Sequence, residues 1–144
     1  MSKTFISSGS AFEKLAGYSR AVLVRDAAGD TVYVSGTTGF DYAAMTIADD
    51  VVAQTEQCFA NIAHALAQAD ASLADVVRVV IYLAERADFQ RVAPVVGRHF
   101  ADIRPANTTV VAALVDARMK IEIEVTARRV RPSATGIAGP NAGP

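Results

Sequence analysis

From Lys120 to Ala127 the chain alternates without a break. Ile121, Ile123, Val125 and Ala127 fall on one side, and Lys120, Glu122, Glu124 and Thr126 on the other. A period of two is the signature of a strand with one buried and one polar face. Asn107 to Val115, rich in Thr and Val, predicts a partner strand just upstream, joined to it by a tight connection. Val76 to Leu83 is a nearly continuous apolar run and predicts a central strand covered on both faces. Arg20 to Asp26 alternates loosely, ends in the turn signal Ala27-Ala28-Gly29-Asp30, and is followed by Thr31 to Gly36. That pair predicts a hairpin, with Val32 and Val34 on one face and Tyr33 and Ser35 on the other.

Two stretches carry the helical period instead. From Asp49-Asp50 to about Ala69, the residues Val52, Phe59, Ile62, Ala63 and Leu66 form one stripe, and acids in the first turn suit the helix dipole. Asp88 is placed to cap a second helix with Phe89, Val92, Val96 and Phe100 as its stripe. Pro94 inside that stripe predicts either a kink or a helix that starts there. Residues 1 to 17 show only scattered apolar positions, with Ala16-Gly17-Tyr18 read as a lead-in to the first strand. The element order is therefore ββαβαββ, a mixed sheet with two helices on one face, an α+β domain over residues 1–130. The Gly- and Pro-rich stretch 131–144 has no periodicity and is expected to be a disordered tail. No third layer remains to cover the sheet face that bears Glu122 and Glu124, so water or another copy of the chain must cover it. The Tyr and Thr side chains on that face favour a copy.

Composition narrows the function classes. The chain has 144 residues, enough for one domain with a real core. It is 51% hydrophobic with a mean hydropathy of +0.24, high enough to expect apolar surface hidden in an oligomer. A net charge of −1, with no basic run beyond Arg128-Arg129 and the nearby Arg131, argues against nucleic acid as partner. The single cysteine, Cys58, excludes an intrachain disulfide. No leader pattern and no long apolar run is visible, so the expectation is a cytoplasmic protein without membrane association.

No GxGxxG, P-loop, CxxC or GxSxG motif is present. His64 and His99 lack companions at ligand spacing, so no metal site is expected, and Cys58 reads as a small helix residue. The candidate chemistry lies on the strands. Glu124 is either a solvated carboxylate or, at a semi-enclosed junction near Asn107, Thr108 and Thr109, a group that positions water or moves a proton. Ser35 is either a plain strand serine or a donor beside the Gly36 N–H. In Gly36-Thr37-Thr38-Gly39, two glycines bring main-chain N–H groups close to whatever lies there. Arg104-Pro105 sets the entry to a strand.

Over residues 17–130 the chain resembles the RidA/YjgF family, also labelled L-PSP-type endoribonucleases. The resemblance rests on Gly17-Tyr18, Val34-Ser35-Gly36, the long helix, Asp88-Phe89, Arg104-Pro105-Ala106 and Lys120-Ile-Glu-Ile-Glu124. It implies a chorismate-mutase-like fold and a homotrimer whose sheets pack into a central barrel, with small-molecule clefts between subunits. It also implies cofactor-free hydrolysis of enamines and imines to 2-keto acids and ammonia. Tyr18, Ser35, Gly36 and Glu124 fall on the family's cleft positions, with Glu124 as the catalytic group. Thr37 stands where the family has Gln, and Ala93 where it has a helix Asn. Asn107, followed by Thr108 and Thr109, replaces the arginine that grips a substrate carboxylate in the family's deaminases. An amide lacks the charge-assisted fork of an arginine, and Arg104, three residues earlier, is expected to face away.

Three functions follow as expectations: a hydrolase for small imines or related metabolites that is poor on 2-imino acids and prefers an uncharged ligand; a non-catalytic small-molecule-binding protein with the same cleft; and, least favoured for want of a basic patch, a ribonuclease.

Overall fold

The computed structural model describes residues 1–132. One six-stranded sheet is built from β1 (Ser2–Ile6), β2 (Ala21–Asp26), β3 (Gly29–Thr38), β6 (Val76–Leu83), β7 (Ala106–Val111) and β8 (Ile121–Arg129). Their spatial order is β1-β2-β3-β8-β6-β7. β6 and β7 run parallel, and the other neighbours are antiparallel. A small ribbon of β4 (Phe40–Asp41) and β5 (Thr46–Ile47) follows β3. Helices α2 (Val51–Ala67) and α3 (Phe89–Phe100) interrupt the strands, and a short helix α1 (Ala11–Ala16) precedes β2.

The expected architecture is present, with additions at the N-terminus. β1 pairs at the sheet edge and buries only Ile6, so it carries no alternating apolar signal. α1 has six residues, too few for a periodic stripe, and is held by its ends. Ser10 accepts from the Phe12 N–H, and Gly17 closes the helix in the left-handed conformation (φ 70°) that glycine adopts without strain. One expected neighbour relation is corrected. β7 and β8 are not paired, because β6 lies between them: Val80 faces Thr108 on one side and Glu124 on the other. The connection after β7 therefore crosses the end of β6. A parallel β6–β7 pair needs a crossover helix, and α3 supplies it.

Asp50 caps α2 by accepting from the Ala53 N–H at 3.0 Å. The helix buries Val51, Thr55, Cys58, Phe59, Ile62 and Leu66. Val52 and Ala63, both assigned to its stripe, are half-buried and exposed respectively. α3 buries Val92, Val95 and Phe100, leaves Phe89 mostly exposed, and keeps Pro94 in its interior. The helices meet where the Phe59 ring stacks on His99 at 4.0 Å and on the edge of Phe100 at 5.3 Å. The core lies between them and the inner sheet face, formed by Leu23, Val32, Val34, Val79, Ile81, Ile121, Ile123 and Val125.

The outer sheet face has no layer over it. One row across it runs Phe5, Val22, Tyr33, Thr126 and Arg78, and Phe5 and Tyr33 are 69% and 52% exposed. The apolar run of β6 is thus covered by its own chain on one face only, with Arg78 exposed and Val80 and Tyr82 half-buried on the other. Among the described residues, no helix is long and apolar enough to cross a membrane. The proposed tail lies beyond the described residues except for Arg131, whose Nε stands 3.3 Å from Asp30, and Pro132.

Gln54 ties the helical layer to the start of β8. It is fully buried on α2, donates to the carbonyls of Ala48 (2.7 Å) and Arg118 (2.9 Å), and accepts from the Lys120 N–H (2.8 Å). An apolar replacement leaves those backbone groups without partners in a dry site. Gln54→Leu is expected to lower unfolding stability by about 2–4 kcal/mol, read as a shift of the urea midpoint at constant slope.

Candidate functional site

The site begins with a slip in the sheet. β3 and β8 pair as Val34 with Val125 and then as Thr37 with Ile123, so Ser35 and Gly36 together face one residue, Glu124. An extra residue in one strand bends it and re-aims its side chains. Beyond the bulge, Thr38 pairs with Glu122. Gly36 lies directly under the Glu122 carboxyl: a Cβ built on it would stand 1.9 Å from Oε1. A larger residue here would displace the Glu122 carboxyl from this position.

Above this point is a cavity of about 370 Å³. Glu122, Gly36 and Thr38 form its floor. α1 and the residue after its cap contribute Phe12, Leu15 and Tyr18, the stretch after β4 contributes Tyr42, and the connection before β8 contributes Val115 and Met119. The walls are apolar and aromatic, with one carboxylate between them, the usual make-up of a small-molecule site. Burial pushes the Glu122 carboxyl above its ordinary value; Arg20 pulls it down and Glu124 pushes it up.

Arg20 anchors the site from behind. Its side chain is 2% exposed. Nη1 donates to the Gly36 carbonyl at 2.7 Å and to the Thr37 hydroxyl at 3.1 Å, and Nη2 donates to the Tyr18 hydroxyl at 3.2 Å. Its guanidinium stacks 4.6 Å from the centre of the Tyr42 ring. Nε lies 3.9 Å from Glu13. Burial pushes the Glu13 carboxyl up, but hydrogen bonds from Ser8 and Ser7 and the charge of Arg20 outweigh it and hold the group below its ordinary value.

The residues singled out in the sequence divide between several places. Tyr18 and Gly36 line the Glu122 cavity. Ser35 turns away at the bulge and donates to the Ser19 carbonyl at 2.7 Å. Thr37 is fully buried, its hydroxyl donating to the Ser35 carbonyl and accepting from Arg20, and Thr38 takes its place at the cavity. Glu124 lies one step along the outer face, where it accepts from the Tyr82 hydroxyl at 2.7 Å and drives the Tyr82 pKa up. Asn107 and Thr109 sit on the free edge strand β7, bonded to each other at 2.8 Å, and line a different cavity of about 280 Å³ with Ala93 and Phe89 of α3. Thr108 points to the opposite face, with Arg78 3.5 Å from its hydroxyl. A single chain therefore does not bring Asn107 to Glu122.

Sequence reading passed over Arg20, Thr38, Tyr42 and Met119, and chose Glu124 rather than Glu122. Alternation places both glutamates on one face; only the register beyond the bulge distinguishes them. Among the described residues, no group of three or more His, Cys, Asp or Glu side chains converges as a metal would need.

Residues 8–129 match the family model described as Endoribonuclease L-PSP. The chain belongs to this family. Its relatives include Protein DfrA of Myxococcus xanthus, 36% identical over 128 residues that cover 88% of this chain and 96% of that protein. A 2-iminobutanoate/2-iminopropanoate deaminase of Capra hircus is 31% identical over 126 residues, covering 87% of this chain and 89% of that one. Among solved structures, a Mycobacterium tuberculosis member of the YjgF/YER057c/UK114 family superposes with a TM-score of 0.78 at 41% identity, over 89% of this chain and 100% of that chain. The mixed α+β fold expected from the sequence is the fold of these family members, and is consistent with the chorismate-mutase-like type.

A carboxyl whose folded pKa is raised favours the folded state below the ordinary carboxylate range, and that contribution is lost as pH rises through the folded value. At neutral pH, then, Glu122 costs stability that a neutral amide does not. Glu122→Gln is expected to melt at a higher temperature than wild type at pH of about 7, with the difference shrinking toward pH of about 4, where Glu is itself largely protonated. Thermal unfolding at the two pH values checks this.

Proposed function

We propose that this protein hydrolyses small imines or enamines at the Glu122 cavity, without a cofactor, as a homotrimer in which the edge strand of one copy completes the cavity of the next. The observation that carries the reading is the Glu122 carboxyl itself, half-buried, pressed against Gly36 and open to an apolar cavity. A carboxylate so placed takes a proton from water as the water oxygen attacks the C=N carbon. It returns that proton to nitrogen to give the carbinolamine, and then carries the carbinolamine hydroxyl proton to nitrogen as the C–N bond breaks, releasing ammonia or an amine and leaving a carbonyl compound. The cavity supports Glu122 in this role, and Glu124, already bonded to Tyr82, serves as the control. The goat relative's name, an iminobutanoate and iminopropanoate deaminase, supports the reaction class.

The assembly is supported by the uncovered sheet face and by the separation of Asn107 and Thr109 from Glu122 in one chain. An exposed edge such as β7, with Val110 and Val111 on it, is a template for another copy. In that arrangement Asn107 offers an amide where a carboxylate-gripping arginine would stand, and loss of such an ionic contact costs on the order of 2–5 kcal/mol. Ribonuclease activity is not proposed: the cavity presents a carboxylate, and the net charge is −1, both unfavourable to a phosphate backbone.

Hydrolysis measured on a panel of imines is expected to fall by about 10²–10⁴ in Glu122→Gln and by less than about tenfold in Glu124→Gln. Turnover of 2-iminobutyrate-like anions is expected to be poor in wild type and to rise in Asn107→Arg. Equal losses in the two glutamate variants would reject the assignment. Sedimentation at micromolar concentration is expected to show a trimer, and a stable monomer would reject the assembly.

A further inference from the structure

Among the described residues, the Glu122 carboxyl has no hydrogen bond or ion pair; burial and the charges of Arg20 and Glu124 account for its state. A half-buried carboxylate that its own chain leaves without a donor is free to take one from a ligand. We propose that the cavity selects a cation with an apolar body, an iminium or ammonium group on a hydrophobic skeleton, and rejects carboxylates. This rests on the Glu122 cavity being the ligand site, and it refines the preference for an uncharged ligand that Asn107 alone implied.

The charge balance supports a cation. Arg20 is the positive group behind the cavity, but Glu13 stands 3.9 Å from it on the far side, and its terminal nitrogens donate to Gly36, Thr37 and Tyr18. Only Nε lacks a hydrogen bond, and Nε is the atom nearest Glu13. The guanidinium is thus largely committed within the protein, and a ligand carboxylate meets the charge of Glu122, with Glu124 two residues along the strand. An ammonium or iminium N–H instead completes the Glu122 carboxylate with a charge-assisted bond. Phe12, Leu15, Val115 and Met119 cover the ligand's apolar part.

Benzylamine, benzyl alcohol and benzoate share one skeleton and differ in charge, so calorimetric titration of the full-length protein with each reads the selection directly. Benzylamine is expected to bind about tenfold or more tightly than the other two, and Glu122→Gln to bring the benzylamine to benzyl alcohol affinity ratio close to one. In wild type alone, benzylamine affinity is expected to weaken as pH falls and Glu122 takes up its proton, with a smaller trend for benzyl alcohol, which loses a neutral hydrogen bond rather than an ion pair. Benzoate binding as well as benzylamine, or benzylamine indifferent to both the substitution and pH, would overturn the proposal. Glu122-dependent amine binding without imine turnover rejects the hydrolase and keeps this selection. Turnover that favours imino-acid anions does the reverse.

Discussion

A guanidinium excluded from water keeps its charge only when carboxylates, carbonyls and hydroxyls surround it. Arg20 meets that condition by drawing on four parts of the chain at once. Glu13 comes from α1, Tyr18 from the residue after its cap, and Gly36 and Thr37 from the bulge in β3, while the Tyr42 ring follows β4. Each partner is also a wall or support of the Glu122 cavity. The bulge exposes the Gly36 carbonyl to Nη1, and the same bulge leaves room for the Glu122 carboxyl above the Gly36 Cα. Shape and charge at the site thus come from one buried cation.

Elements with a clean periodic signal were legible in the sequence. β8 and the two long helices lie where the period-two and helical patterns place them, because burying a single face imposes those patterns, and β6 lies where its apolar run places a central strand. β1 and α1 were not legible, because an edge strand that buries only Ile6 and a six-residue helix leave no period to read. The pairing of β7 with β6 rather than β8 was hidden for another reason. Sequence neighbours are the default expectation, and only the parallel direction of β7 places β6 between them.

The site was legible in type and blurred in position. The sequence pointed to a carboxylate on the polar face of β8, near Gly36 and Tyr18, and the structure has one there. Which of Glu122 and Glu124 meets the cavity beside Gly36 depends on the one-residue bulge at Ser35-Gly36, which pairs Thr38 rather than Thr37 with Glu122. A serine-glycine pair in a strand warns of a bulge but does not say which partner residue it re-aims. Arg20 was invisible because its importance is three-dimensional: an arginine opening a strand normally points to water.

The arrangement of costs fits a binding or catalytic site better than a structural one. Where α2 crosses the sheet, polar groups are fully matched: Gln54 satisfies three backbone groups, and Thr55 donates to the Val51 carbonyl at 2.7 Å. At Glu122 the opposite holds, since the carboxyl is partly desolvated and no side chain of the described residues completes it. The charge of Arg20 lowers the Glu122 pKa, yet no hydrogen bond joins the two. Instead the available N–H groups of Arg20 are directed to Gly36, Thr37 and Tyr18. A carboxyl with a shifted pKa in a cleft, left unbonded by its own chain, is the kind of group that marks a candidate functional site.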